Sequence, residues 1–238
     1  FNNGSYGIYD GKAGGVVAKN STEVVSKSKD IVDASQMTLD EAIERLKEEA
    51  LSKTRLYASN STIARYTAGN NIPALSGELA PMFVESKLGT LMVIAPDGEV
   101  LLRAHALTER GDTFIDEDAM DVALKGNSIV TIDSHLPEGL SIRALSPLVV
   151  SGRVVGILVG GFPLDNALMD TIQRITGLDM SIYESDTRVS TTELGPDGRD
   201  RILGVKVLDS SVKEAVLVKG EAITMFRIHI CLNLKNKP

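Results

Sequence analysis

The stretch from Ile129 to Phe162, IVTIDSHLPEGLSIRALSPLVVSGRVVGILVGGF, constrains the fold of this chain more than any other. Short β-rich runs bounded by Gly, Pro and Ser predict consecutive antiparallel strands joined by tight turns. Ile129–Asp133 is the first run, and Pro137, Glu138 and Gly139 punctuate it. Leu140–Val150 is the second. Ser151-Gly152-Arg153 makes the next turn, and Val154–Val159 runs apolar into Gly160-Gly161. In the middle run Leu140, Ile142 and Ala144 alternate with Ser141, Arg143 and Leu145, so one side of a central strand carries a cation.

Bulk properties narrow the function. Aromatic residues make up 4% of the chain and Trp is absent, so aliphatic side chains must fill the core, and an aromatic cage for a quaternary ammonium is poorly furnished. A net charge of −7 argues against nucleic-acid binding, which needs a basic face, and against attachment to an acidic membrane surface. Cys231 is the one cysteine, so an internal disulfide, a zinc ribbon and covalent c-type haem are ruled out. His105, His135 and His229 form no H-E-x-x-H motif. No apolar run approaches the length that spans a bilayer. The chain is expected to be a piece of a longer protein.

In chain order, Phe1–Gly15 reads as irregular. Val17, Val24 and Ile31 recur at heptad spacing, with Val16, Val25 and Val32 beside them, and predict a long helix that packs on its own domain or on a second subunit. Thr38 and Glu41 form a capping box opening a helix with Leu39, Ala42, Ile43, Leu46 and Ala50 on one face. That helix is expected to run to about Arg65 and stop at Gly69-Asn70-Asn71 with Pro73, before a shorter one over Glu78–Ser86. Leu91–Ile94 and Val100–Arg103 flank Ala95-Pro96-Asp97-Gly98, a hairpin pattern. Asp116–Lys125 reads as a helix with acidic residues at its start and Gly126 past its end. Pro163–Thr176 reads as another, followed by short strands at Leu178–Tyr183 and Arg188–Thr192. Val122, Lys125-Gly126 and Ile129 recur at the same offsets as Val216, Lys219-Gly220 and Ile223, which suggests a duplicated module whose second copy is shorter.

This ordered set resembles the extracellular double-Cache (PAS-like) sensor regions of bacterial and archaeal chemoreceptors and sensor histidine kinases. LMVIAPDGEVLLRAH is similar to the family's first hairpin, RGDTF to the loop after it, and SIRALSPLVVSGRVVGILVGGFPLD to the last two strands and their exit. GLDMSIYESDTRVSTTE with DGRDRILG resembles the start of a membrane-proximal module. The resemblance covers roughly Thr38 to Ile223. It implies an α/β (α+β) fold: a long N-terminal helix and two modules, each a curved antiparallel sheet flanked by helices, the second incomplete. The expected boundaries are 1–87 for the helical region, 88–165 for the distal module and 166–238 for the partial proximal one. The implied function is an extracellular or periplasmic ligand-binding sensor domain of a membrane receptor, not an enzyme and without cofactor. A homodimer through the N-terminal helix and transmembrane segments outside this chain would go with it. The alternative is a structural or dimerisation module that binds no ligand.

Six residues are candidates for the ligand site. Arg103 and His105 sit at the end of the second strand of the first hairpin, on the same face by strand alternation. Arg143 lies in mid-strand, where a cation needs a reason because burying an unpaired charge is expensive. Either arginine can fork onto a ligand carboxylate, pair internally with Asp112, Asp133 or Glu138, or simply stand exposed on an outer face. Thr131 and Asp133 share a face and, with Arg143, would make a zwitterion site: carboxylate on arginine, amine on aspartate. The amine site reads equally as strand-end polar residues in water. Ser146 before Pro147 offers a hydroxyl or marks a bend. The ligand class these residues point to is an amino acid or a carboxylate. Gly156, Gly160 and Gly161 match no phosphate loop and read as close backbone packing. Asp116, Glu117, Asp118 and Asp121 lack EF-hand spacing, and Ser190-Thr191-Thr192 lacks a nucleophile elbow.

Overall fold

The computed structural model describes residues 41–114, 116–135, 139–177, 179, 181–184 and 186–206. The heptad helix with Val17, Val24 and Ile31, the Thr38 cap, the second Lys-Gly copy at Val216–Ile223 and Cys231 lie outside the described residues. The chain divides into two units, Ala42–Leu168 and a second that takes up the chain at Met169.

The first unit begins with three helices, α1 (residues 41–58), α2 (Ser61–Ala68) and α3 (Ile72–Ser86). The single helix expected to reach Arg65 is broken at Asn60. The Asn60 side chain accepts from the Thr62 N–H at 2.9 Å and so restarts the helix, while its amide donates to Glu78 Oε1 at 3.1 Å. The third helix starts at Ile72, not at Glu78. Asn71 caps it by accepting from Ala74 N at 3.2 Å, and Pro73 sits in the first turn, where the missing N–H has no intrahelical partner to lose. Pro73 therefore initiates a helix where the sequence suggested a stop.

A five-stranded antiparallel sheet follows, in the order β2-β1-β5-β4-β3. Its strands are β1 (Thr90–Ile94), β2 (Val100–Arg103), β3 (Ile129–His135), β4 (Gly139–Val150) and β5 (Arg153–Pro163). Pro163, read as a helix start, closes β5. The β4–β5 turn has Ser151 and Gly152 at φ +49° and +76°, the mirror-image geometry that matches strand twist. Helix α4 (Glu117–Leu124) connects β2 to β3 and is capped by Asp116, whose side chain accepts from Ala119 N.

Both faces of the sheet are covered. On one, Leu91, Val93, Leu102, Leu148 and Leu158 pack with Ile63 and Ala64 of α2 and Leu75 and Leu79 of α3. On the other, Met92, Ile94, Val100, Leu145, Ile157 and Val159 pack with Phe114 and with Ala119, Met120 and Ala123 of α4. The alternation in β4 thus separates two cores rather than core from solvent. Glycines let the first layer come close. A Cβ at Gly156 would lie 2.7 Å from Thr67 Cγ2, and one at Gly160 would lie 2.6 Å from Thr54 Oγ1 of α1.

Helix α5 (Asn166–Thr176) begins at the end of the first unit and runs into the second, where a hairpin of β6 (Ser181–Glu184) and β7 (Thr187–Thr191) follows. Residues 204–206 run back along β7: Arg188 N donates to Val205 O and Gly204 N to Arg188 O. Arg188 is buried and holds this hairpin, donating to Tyr183 Oη at 2.9 and 3.0 Å and to Glu193 Oε2 at 2.8 Å. Burial disfavours its charge, but the Tyr183 and Glu193 partners outweigh that and raise its pKa. The whole is a mixed α/β fold of antiparallel sheets flanked by helices. Among the described residues no helix is long and apolar enough to cross a membrane.

Candidate functional site

The face of the sheet covered by α4 carries most of the predicted polar residues. Arg103 pairs with Met92 across β2 and β1, and Met92 belongs to the α4-side core, so Arg103 projects there too. It is 1% exposed and forks onto Asp112, with Nη1–Oδ1 at 2.6 Å and Nη2–Oδ2 at 2.8 Å. Nη1 also donates to the Glu109 carbonyl at 3.3 Å. This bidentate pair ties the segment after β2 back along that strand. Val100 N donates to Asp112 O, Gly111 N to Val100 O, and Phe114 N to Gly98 O, each at 2.9 Å. Phe114 is thereby delivered onto the face, its ring centroid 5.9 Å from Arg143 Cζ.

Arg143 occupies the next row of the same face. Thr131, Arg143, Gly161 and Thr90 lie side by side across β3, β4, β5 and β1. Arg143 is fully buried, forms an ion pair with Asp133, and donates from Nη2 to the Gly139 carbonyl at 3.2 Å. Thr131 Oγ1 donates to the other Asp133 oxygen at 3.0 Å. Burial pushes the Arg143 pKa down to about 10. The Asp116 carboxylate opposes that shift and the Arg103 charge adds to it. Two guanidinium groups, Arg103 and Arg143, therefore share one covered face with three carboxylates, Asp112, Asp116 and Asp133.

The structure brings together Arg103, Thr131, Asp133 and Arg143, and separates the other two predicted residues from them. Strand β2 ends at Arg103, so the alternation that put His105 beside it does not continue. The His105 ring instead stands 6.0 Å from Phe83 of α3, and its Nδ1 meets the backbone of Leu91. Ser146 pairs with Leu158, a residue of the α2/α3-side core, and donates to Ser128 Oγ at 3.0 Å. It therefore lies on the opposite face from Arg143. Sequence reasoning passed over Phe114, whose ring stands against Arg143, and over Thr90, which lies in the Arg143 row. A hydroxyl opening a strand of otherwise unbroken apolar residues, TLMVI, was the available signal for Thr90. Among the described residues no group of three or more His, Cys, Asp or Glu is placed to hold a metal ion.

Comparison with known proteins agrees with this architecture. No curated protein matches the sequence significantly. Among solved structures, the sensor domain of the histidine kinase DctB from V. cholerae aligns with a TM-score of 0.56 at 9% identity, covering 80% of this chain and 73% of that one. The periplasmic domain of LuxQ from Vibrio cholerae aligns at 0.46 and 15% identity, covering 80% and 85%. The E. coli DcuS sensor domain aligns at 0.45 and 17% identity, covering 55% and 94%. At 9% identity the likeness to the DctB sensor domain is one of fold. Residues 28–205 match the family described as "Double sensory domain of two-component sensor kinase". With three quarters of its length so matched, the chain belongs to the double-Cache sensory domains, a family of signalling modules rather than catalysts.

Proposed function

We propose that this chain is the periplasmic, ligand-binding part of a membrane-anchored receptor, and that the Ala42–Leu168 unit takes an amino acid on the α4 face of its sheet. The observation that carries this reading is Arg143. A guanidinium with no exposed surface, depressed to about 10 by burial, stands under an aromatic ring in a row with a glycine and two threonines. A buried cation of this kind stabilises a fold poorly compared with an apolar side chain of the same size. It suits a bidentate carboxylate well. The three carboxylates against two guanidiniums favour a ligand that also brings a positive charge, with its carboxylate on Arg143 and its ammonium near Asp133 or Asp116. A ligand that binds the two signalling arrangements of the receptor unequally shifts their populations.

Isothermal calorimetry of the chain against the twenty L-amino acids, propionate and succinate tests this. Binding of an amino acid that is lost in Asp133→Leu/Arg143→Met supports the reading. Undiminished binding in that variant refutes it. A second reading rests on the internal pairing of Arg103 with Asp112 and Arg143 with Asp133: a module that binds nothing and acts through dimerisation. Absence of heat with every probe, together with a concentration-dependent dimer, would favour that one.

A further inference from the structure

We infer that Thr90 is a ligand-contacting residue of the α4 face, its hydroxyl donating to a ligand carboxylate that lies over Gly161 between Thr90 and Arg143. The inference rests on the ligand-binding reading above and names a determinant of its specificity. Thr90 is 2% exposed, and its Oγ1 has no hydrogen-bond partner among the described residues. A buried hydroxyl left unpaired opposes folding, so its presence calls for a reason.

Register supplies that reason. Leu91 and Val93 point into the α2/α3-side core, Met92 and Ile94 into the α4-side core. Alternation then places Thr90 on the α4 side, directly opposite Gly161 on β5, which is itself opposite Arg143 on β4. The two polar side chains stand two strand spacings apart, roughly 10 Å between their Cα atoms. Gly161 between them presents no side chain and accepts none: a Cβ there would lie 1.9 Å from the Ile142 carbonyl oxygen. A threonine reaches inward by one bond and an arginine by several; the Arg143 fork, which stands on Asp133 and the Gly139 carbonyl, turns toward β5 for a group lying above Gly161 to meet both. Because an arginine only donates, one group served by both side chains must be an acceptor, and the arginine favours an anionic one. A carboxylate fits.

Thr54 gives the contrast. Its Oγ1 is also buried without a hydrogen-bond partner among the described residues. It sits in the seam between α1 and β5, 2.6 Å from where a Gly160 Cβ would be, so that seam has no room for a ligand. Of the two orphan hydroxyls, only Thr90 shares a face with the charged row.

Thr90→Val removes the hydroxyl at nearly constant volume, and Thr90→Ser keeps it. Both are made in the full chain, melted without ligand, and titrated by calorimetry with the L-amino acid that the wild type binds best among the twenty. Thr90→Val is expected to melt at or above the wild-type temperature and to bind about ten- to one-hundred-fold more weakly, the range for a hydrogen bond to a charged group. Thr90→Ser is expected to bind within about three-fold of wild type, as the hydroxyl is retained. Unchanged affinity in Thr90→Val, with binding still lost in Asp133→Leu/Arg143→Met, overturns the role of Thr90 and leaves the site intact. Full binding in the double variant, or no binding of any amino acid by wild type, overturns the site and this inference with it. A Thr90→Val melting temperature well below wild type overturns the inference by itself, because the hydroxyl would then be holding the fold.

Discussion

Replacing the buried ion pair by apolar side chains, as Asp133→Leu/Arg143→Met, is expected to stabilise the protein while destroying ligand binding. The magnitude follows from the arginine. Lowering its pKa from the ordinary arginine value to about 10 corresponds to about 3 kcal/mol of unfavourable surroundings for the charged form. Arg143 is fully buried, so solvent does not screen that term away. Asp133 is one-fifth exposed and loses less on burial. Methionine fills a similar length beneath Phe114 and beside Leu145, and exchanging a buried pair for packed apolar groups has been worth about 1–4 kcal/mol elsewhere. We expect a gain of about 1–3 kcal/mol at pH 7, read from urea unfolding by circular dichroism with an unchanged m-value. The pH dependence has a definite sign. A folded-state pKa below the unfolded one means that the unfolded chain holds the Arg143 proton more tightly, so wild-type stability rises as the pH climbs above about 10. The advantage of the double variant should thus be constant below about pH 9 and shrink above pH 10. A double variant less stable than wild type by 3 kcal/mol or more would refute the reasoning, since the pair would then be a strut and not a site kept at a cost.

The remaining expectations concern how the site is held. Asp112→Asn leaves Arg103 buried without its charge partner and should cost about 3 kcal/mol in urea unfolding, with faster amide exchange over residues 104–114. Equal exchange there would mean the segment is held without the latch. Asn60→Ala removes the α2 cap and its bond to Glu78, and a loss of about 1–2 kcal/mol is expected by the same measurement. Gly160→Ala forces a Cβ against Thr54 Oγ1 and Leu88 Cδ1 and should cost about 1–3 kcal/mol. Adding Thr54→Ala should recover most of that in thermal melts. No recovery would show that the seam is not limited by Thr54.

The fold was legible wherever local chemistry decides. The Pro96-Asp97-Gly98 and Ser151-Gly152 turns and the Asp116 cap carry their own instructions, and the strands they bound lie close to where the pattern put them. The helices before Leu88 were less legible. Asn60 caps a helix within a continuous helical pattern, and Pro73 starts one, and each residue type serves both starts and stops. At the site, the cation in mid-β4 was visible because alternation exposes it. Its surroundings were not. Phe114 reaches Arg143 only because Arg103 and Asp112 fold the intervening segment back. That contact depends on tertiary pairing across nine residues, which no period in the sequence encodes. His105 was misplaced for a related reason, since alternation was carried beyond the end of β2.

The paired glycines of β5 have a mechanical meaning. Gly160 abuts Thr54 of α1 on one side of the sheet, and its neighbour Gly161 lies in the charged row on the other. Two contacts on opposite sides are therefore separated by one thickness of main chain, with no side chain of β5 at either residue to act as a cushion. Close-packed interiors have little slack to absorb a displacement. A load applied above Gly161 would reach α1 through one thickness of main chain, making this strand less a wall between two compartments than a drumskin between them.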